Sequence, residues 1–176
     1  MTSMIERIEA LEQRLHHAES ELAIRNVIVR YGMAADCGDA KTAANCFTES
    51  AEYRISAPRA GRTGHKQDDL VLKGRRAIQQ MLESELHQSL MPRSAHTVGP
   101  VSVVVSGATA RVTGYSRLYH RDEQLLDGDA PELMRLAINE WHLINSQGQW
   151  LIASRESRLV GEKAAQMLLL NAAYPN

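Results

Sequence analysis

Residues 93–121, RSAHTVGPVSVVVSGATARVTGYSRLYHR, decide the fold. Valine and threonine recur through both halves, and Ser106-Gly107 breaks the run where a chain reversal needs a residue tolerant of positive φ. The segment predicts two antiparallel strands, about 93–105 and 109–121. The pattern returns downstream, where Ser146-Gln147-Gly148 separates strands predicted at about 134–145 and 149–160. Between the two hairpins, Asp122 to Pro131 reads as the longer loop of a meander.

Upstream of residue 93 the periodicity is mostly helical. Met4, Ile8, Leu11, Leu15, Ala18 and Leu22 alternate spacings of four and three, a heptad seam on a segment rich in Glu and Arg. Such an arm either pairs with another chain or folds over its own domain. A second helical stretch begins at Glu21, carries Ile24, Val27, Ile28, Tyr31 and Ala35 on a broad apolar face, and stops near Cys37-Gly38. Asp39 has the chemistry of an N-cap for a short helix through Ala43, Ala44 and Cys46 to Phe47, so the two helices read as a helix-turn-helix lid. Ala51–Ile55 reads as a short strand, Ser56–Asp69 as a polar loop and Gly74–Gln88 as a helix. Helices first and then a run of strands is the α+β pattern, and a curved sheet over helices can enclose a small-molecule site.

Composition narrows the function. At 176 residues the chain is one domain by length, with 44% hydrophobic and 23% charged residues and a net charge of −1. That balance offers no basic face for nucleic acid, and no apolar run reaches the roughly 18 residues of a membrane span. The N-terminus is charged and periodic rather than signal-like, which points to a cytoplasmic protein. Cys37 and Cys46, the only cysteines, read as buried free thiols outside any metal-ligand spacing. GxGxxG, the P-loop, GxSxG and HExxH are all missing, so nucleotide, serine-hydrolase and zincin chemistry lack their residues. No cofactor and no metal site is expected.

The residues left to carry chemistry are suited to proton transfer. Alternation along 109–121 puts Ala110, Val112, Gly114, Ser116, Leu118 and His120 on one face, a small-residue face with room above it. Counting outward from the Ser106-Gly107 turn sets His96 opposite about residue 117, within a residue or two of His120. Histidine suits proton abstraction because its ordinary pKa of about 6.5 lies near working pH. A carboxylate on the second ring nitrogen fixes the tautomer, and Asp36 is the candidate. Tyr31 and Tyr53 can donate hydrogen bonds to a carbonyl or a leaving oxygen. Arg155 and Arg158 fall on opposite faces of the last strand; Arg158 is taken as the inward anion partner and counted with Asn139 as substrate-binding. His142 lies on a strand and, with His96 and His120, would be the one histidine set able to approach a metal, although no carboxylate ligands stand beside them. His16, His17, His65 and His87 read as surface residues.

Several runs carry a family resemblance: Glu21-Leu22-Ala23-Ile24-Arg25, Arg30-Tyr31, Ala35-Asp36-Cys37-Gly38-Asp39, Cys46-Phe47-Thr48-Glu49 and Ala51-Glu52-Tyr53. Gly74-Arg75-Arg76-Ala77-Ile78, Ala95-His96-Thr97, Gly148-Gln149-Trp150 and Arg158 continue it. Together they resemble the SnoaL-like domains of the NTF2-like superfamily, over nearly the whole chain. The resemblance implies a cone-shaped α+β barrel over residues 21–165, with a helical arm at 1–20 and a C-terminal tail at 166–176. Within the superfamily the motifs are most similar to cofactor-independent lyases of the scytalone dehydratase, bile-acid 7α-dehydratase and hexachlorocyclohexane dehydrochlorinase types. Asp36 and His96 then match an Asp/His dyad, and Tyr31 and Tyr53 the tyrosines of the dehydratases. His120 matches the second histidine of scytalone dehydratase, where the bile-acid enzyme has aspartate. The implied activity is elimination of water, or another small group such as formaldehyde, from a small apolar or aromatic substrate. Isomerases, polyketide-type cyclases and non-catalytic binding subunits share the fold. The resemblance also implies a homo-oligomer, trimer or dimer.

Overall fold

A computed structural model describes residues 3–56, 69–122 and 130–174. Most of the two predicted loops, and His65, lie outside the described residues. The chain opens with α1 (Met4–Asp36), 33 residues or about 50 Å of continuous helix. Ser3 and Glu6 cap its start reciprocally: the Ser3 hydroxyl accepts from the Glu6 N–H at 3.2 Å, and the Glu6 carboxylate from the Ser3 N–H at 2.6 Å. The sequence reading breaks this helix near residue 20 because the apolar pattern changes there. The physical event is a change of face: the seam through Leu15 and Leu22 stays outside, while Ile24, Val27, Ile28 and Tyr31 turn into the core. No glycine or proline interrupts the backbone between those sets.

Helix α1 ends at Asp36 with Cys37 as its C-cap, and Gly38, whose φ is +78°, suits the stop. The Cys37 thiol is exposed there, against the expectation of burial, while Cys46 is buried. Asp39 then caps α2 (Ala40–Ala44) by accepting from the Thr42 N–H at 2.9 Å, as expected. Phe47 does not end that helix. It opens β1 (Phe47–Ile55), four residues earlier than the predicted strand, and is fully buried against Tyr31 and Tyr53. A short strand that the sequence pattern did not reveal, β2 (Leu70–Lys73), pairs antiparallel with β1. The predicted helix over 74–88 is divided into α3 (Arg75–Leu82) and α4 (Glu85–Gln88), with Ser84 capping the second piece.

The two hairpins form as expected: β3 (Ser94–Ser106) with β4 (Thr109–His120), then β5 (Glu132–Ser146) with β6 (Gln149–Leu159). The six-stranded sheet has the order β2-β1-β6-β5-β4-β3, antiparallel except where β1 runs parallel to β6. Its inner face carries Val112, Trp141, Leu143 and Ile152 against the domain half of α1, which builds the core. On the outer face, α5 (Lys163–Ala173) packs Ala165 and Leu168 on Ile138; a helix therefore occupies most of the stretch read as a tail. This is an NTF2-like α+β architecture, a mixed curved sheet closed over N-terminal helices.

One irregularity lies close to His96 along β3. Between Val98 and Val101 the register of β3 against β4 shifts, because Gly99 and Pro100 together oppose the single residue Tyr115. Gly114 lies under this bulge. A Cβ there would come 2.6 Å from the Pro100 carbonyl and 2.5 Å from a Val101 methyl. The small face of β4 is thus filled at Gly114 by the bulge of β3, and does not open a void there. Hydrogen is the only side chain that admits this approach.

Candidate active site

Helix α1 and strand β3 meet at His96. Gly32 and Asp36 are one helical turn apart and face the same way. At Gly32 a Cβ would sit 3.6 Å from the His96 carbonyl oxygen, so the helix backbone lies directly on the strand. One turn on, the Asp36 carboxylate holds His96 at two points. Its Oδ2 accepts from the His96 backbone N–H at 2.7 Å, and its Oδ1 from the ring Nδ1 at 2.5 Å. Both side chains are about one-fifth exposed, so the pair is largely removed from water yet open to a ligand.

The carboxylate fixes the tautomer. An ionised carboxylate only accepts hydrogen bonds, so the neutral imidazole carries its proton on Nδ1 and presents a lone pair at Nε2. Among the described residues, Nε2 has no hydrogen-bond partner. In that tautomer Nε2 is the atom that can take up a proton, and the carboxylate behind the ring stabilises the imidazolium that forms.

His87 also belongs to this site, contrary to its reading as a surface residue. Its ring stacks on that of His96 with centroids 6.2 Å apart, and its Nε2 lies 3.3 Å from the Ala35 carbonyl. Burial pulls the His87 pKa below its ordinary value, and the neighbouring His96 pulls the same way. The Ala35 carbonyl and Asp36 oppose them. The sequence signal was weak: His87 sits on a four-residue helix whose docking is set by tertiary contacts.

His120 sits opposite Ser94, and His96 opposite Leu118. The histidines are thus diagonal neighbours on one face of the hairpin, a geometry that typically separates Cα atoms by about 7–8 Å. The sequence count placed His96 opposite residue 117; the turn is centred one residue later, between Gly107 and Ala108, which moves the partner by two, and the bulge takes one back. Among the described residues the His120 side chain has no hydrogen-bond partner. Ser94, its cross-strand neighbour, is buried and its hydroxyl is likewise unpartnered. His142 points the other way, onto the outer face, where its Nε2 lies 3.0 Å from Glu140. That separates it from His96 and His120. Among the described residues no cluster of three or more His, Cys, Asp or Glu side chains could hold a metal ion.

A second buried group lies one residue from Gly32 along α1. Tyr31 and Tyr53 are each 6% exposed, and the Arg155 guanidinium lies over both rings, 5.0 Å and 4.6 Å from their centroids. Trp141 provides a third ring at 5.4 Å. Arg155 Nε donates to Asn139 Oδ1 at 3.0 Å, and Asn139 Nδ2 donates to the Ser116 hydroxyl at 2.6 Å. No carboxylate neutralises Arg155 among the described residues. Burial raises the Tyr31 pKa far above its ordinary value, helped by the adjacent Tyr53 phenol and opposed by Arg155, so Tyr31 stays a hydrogen-bond donor.

Arg158, the expected inward arginine, is on the outer face. Its Nε donates to Glu156 at 2.6 Å and its Nη1 to Asp69 at 2.7 Å. Strand alternation separates Arg155 from Arg158 but does not say which is inside. Tyr53 and Trp141, directly across from Arg155, decide it by offering their rings.

With this geometry in view, comparison with known families is informative. Residues 16–156 match the model of the SnoaL-like domain. The chain belongs to that family. An NTF2-like protein with a cystatin-like fold from Novosphingobium aromaticivorans is 30% identical, with a TM-score of 0.76 over 96% of this chain and 98% of that one. A candidate scytalone dehydratase from the same organism is 19% identical, with a TM-score of 0.64 over 82% of this chain and 86% of its own. ActVI-ORFA from Streptomyces coelicolor is 17% identical, with a TM-score of 0.65 over 81% and 98%. No functionally curated protein matches the sequence. In this SnoaL-like domain no described helix is long and apolar enough to cross a membrane.

Proposed function

We propose that this SnoaL-like domain is a cofactor-independent lyase. His96, oriented by Asp36, removes a proton from a carbon next to an activating carbonyl or aryl group, and a neighbouring hydroxyl or comparable group departs. The two-point hold of Asp36 on His96 is the observation that carries this reading. A binding or assembly subunit has no need of a fixed tautomer with Nε2 left open, and would tolerate an aspartate too distant to bond.

The other residues fall into supporting roles. His120, on the same face, can give a proton to the leaving oxygen. Tyr31 and Tyr53 can donate to a developing oxyanion, with Arg155 behind them as the buried positive charge. Likeness in fold to a candidate scytalone dehydratase agrees with an elimination on a small aromatic or polyketide-like substrate. The chemistry closes without redox change: the C–H electron pair becomes the new double bond as the carbon–oxygen bond breaks, and the two protons end on His96 and on the departing group.

Product mass tests the outcome. Incubation with a panel of β-hydroxy ketones, hydroxylated polycyclic phenols and β-halo compounds should yield products lighter by water or hydrogen halide. Products of unchanged mass would instead establish the isomerase or cyclase reading. General acid–base groups contribute about 10²–10⁴-fold each, so His96→Ala should lose at least that factor on any substrate turned over.

A further inference from the structure

We propose that the first half of α1 is an assembly arm that pairs with the same arm of a second copy of this chain, in parallel, as a two-stranded coiled coil. Every residue from Ser3 to Glu19 is exposed, so the arm's apolar residues are buried by nothing described in this chain. Met4, Ile8, Leu11, Leu15 and Leu22 are between 48% and 70% exposed, yet they form one continuous seam with the spacing of a coiled coil. Most helical stability in proteins comes from packing of an apolar face, and this half of α1 packs its own face on nothing described in the chain. The family match begins at residue 16, so the first layers of the seam precede the matched domain.

Charge settles the partner and its direction. With Ile8, Leu15 and Leu22 at the first core position of the heptad and Met4, Leu11 and Ala18 at the second, Arg7 and Arg14 flank one side and Glu12 and Glu19 the other. In a parallel pair each flanking residue meets the one five positions later on the other chain, which sets Arg7 against Glu12 and Arg14 against Glu19. An antiparallel pair would set arginine against arginine and glutamate against glutamate. A second copy of this chain is thus complementary in one orientation and repelled in the other.

The fold leaves room for it. The domain grips α1 through Ile24, Val27, Ile28 and Tyr31, on the side roughly opposite the seam. Val29 and Met33 remain 45% and 66% exposed, and they carry the apolar line past Leu22 alongside the domain. Two domains can therefore hang on opposite sides of one central pair of helices.

The full-length protein provides the test, read as molar mass by light scattering at micromolar concentration. Leu11→Asp with Leu15→Asp should halve the mass. Arg7→Glu with Arg14→Glu should also halve it, and adding Glu12→Arg with Glu19→Arg in the same chain should restore it, which excludes a folding defect as the cause. In a Cys37→Ser background, Ile8→Cys and Leu22→Cys should each give disulfide-linked dimers on mild oxidation, because a parallel pair brings like positions together. A monomeric wild type, a mass unchanged by the leucine variants, no recovery in the fourfold charge swap, or cross-linking at only one cysteine position would overturn the proposal.

Discussion

Replacing Asp36 by Asn keeps the shape of the site and reverses its proton. In the wild type Oδ2 accepts from the His96 N–H at 2.7 Å and Oδ1 from Nδ1 at 2.5 Å. An asparagine retaining the first bond turns its NH₂ toward Nδ1, which can then only accept. The imidazole proton moves to Nε2, where the base had been. Two charge-assisted bonds become neutral ones, a loss of about 1–2 kcal/mol of stability, whereas Asp36→Ala leaves the His96 N–H without its acceptor and costs about 1–3 kcal/mol. The catalytic effect is far larger than either. Holding the wrong tautomer lowers turnover about 10⁴-fold in hydrolase triads of the same construction. Nitrogen-15 NMR of the His96 ring at neutral pH reads the tautomer without a substrate: Nδ1–H in the wild type and Nε2–H in Asp36→Asn. If the variant kept the Nδ1–H tautomer, or retained near wild-type turnover, the orienting role of Asp36 would be refuted.

Two further outcomes follow from the packing and the electrostatics. Gly114→Ala forces a methyl group to within 2.6 Å of the Pro100 carbonyl, so the bulge in β3, which begins just past the His96-Thr97-Val98 segment, must move. It should lower stability by about 1–3 kcal/mol in urea titrations and reduce activity as well; an unchanged midpoint would mean that the bulge is not closely fitted. His87 has a pKa held below its ordinary value of 6.5, so between that value and its folded one the unfolded chain binds the proton first. The stability gained by keeping His87 neutral is present above about pH 6.5 and is lost as the pH falls toward the folded value. His87→Gln should flatten the decline in urea midpoint between about pH 7.5 and 5.5. Equal declines in the two proteins would show that His87 titrates normally.

The sequence made the periodic parts of this fold legible and left the contact-defined parts hidden. Strands β3 to β6 are long, rich in valine and threonine, and separated by turns, so alternation located them, and counting outward from the turn brought His96 and His120 to one end of the hairpin; the face they share depends on the register that the bulge sets. The Asp36–His96 pairing spans 60 residues and came from resemblance rather than pattern, because no local rule connects a helix end to a strand start. Four residues of β2 are too few to show a period. His87 looked like a surface residue because its burial depends on where a four-residue helix docks. Arg158 was preferred over Arg155 because alternation assigns faces only up to inversion; the rings of Tyr31, Tyr53 and Trp141 break that symmetry in space. Gly114 suggested a void when its lack of a side chain serves the approach of Pro100.

The proposed elimination turns on His96 as the base. Its direct test is kcat/KM for wild type and His96→Gln on the best substrate from the elimination panel, with thermal unfolding confirming that both are folded. A loss of at least about 10²-fold, with no change in product, is expected. A His96→Gln protein that is folded and eliminates within a few-fold of the wild-type rate would contradict it.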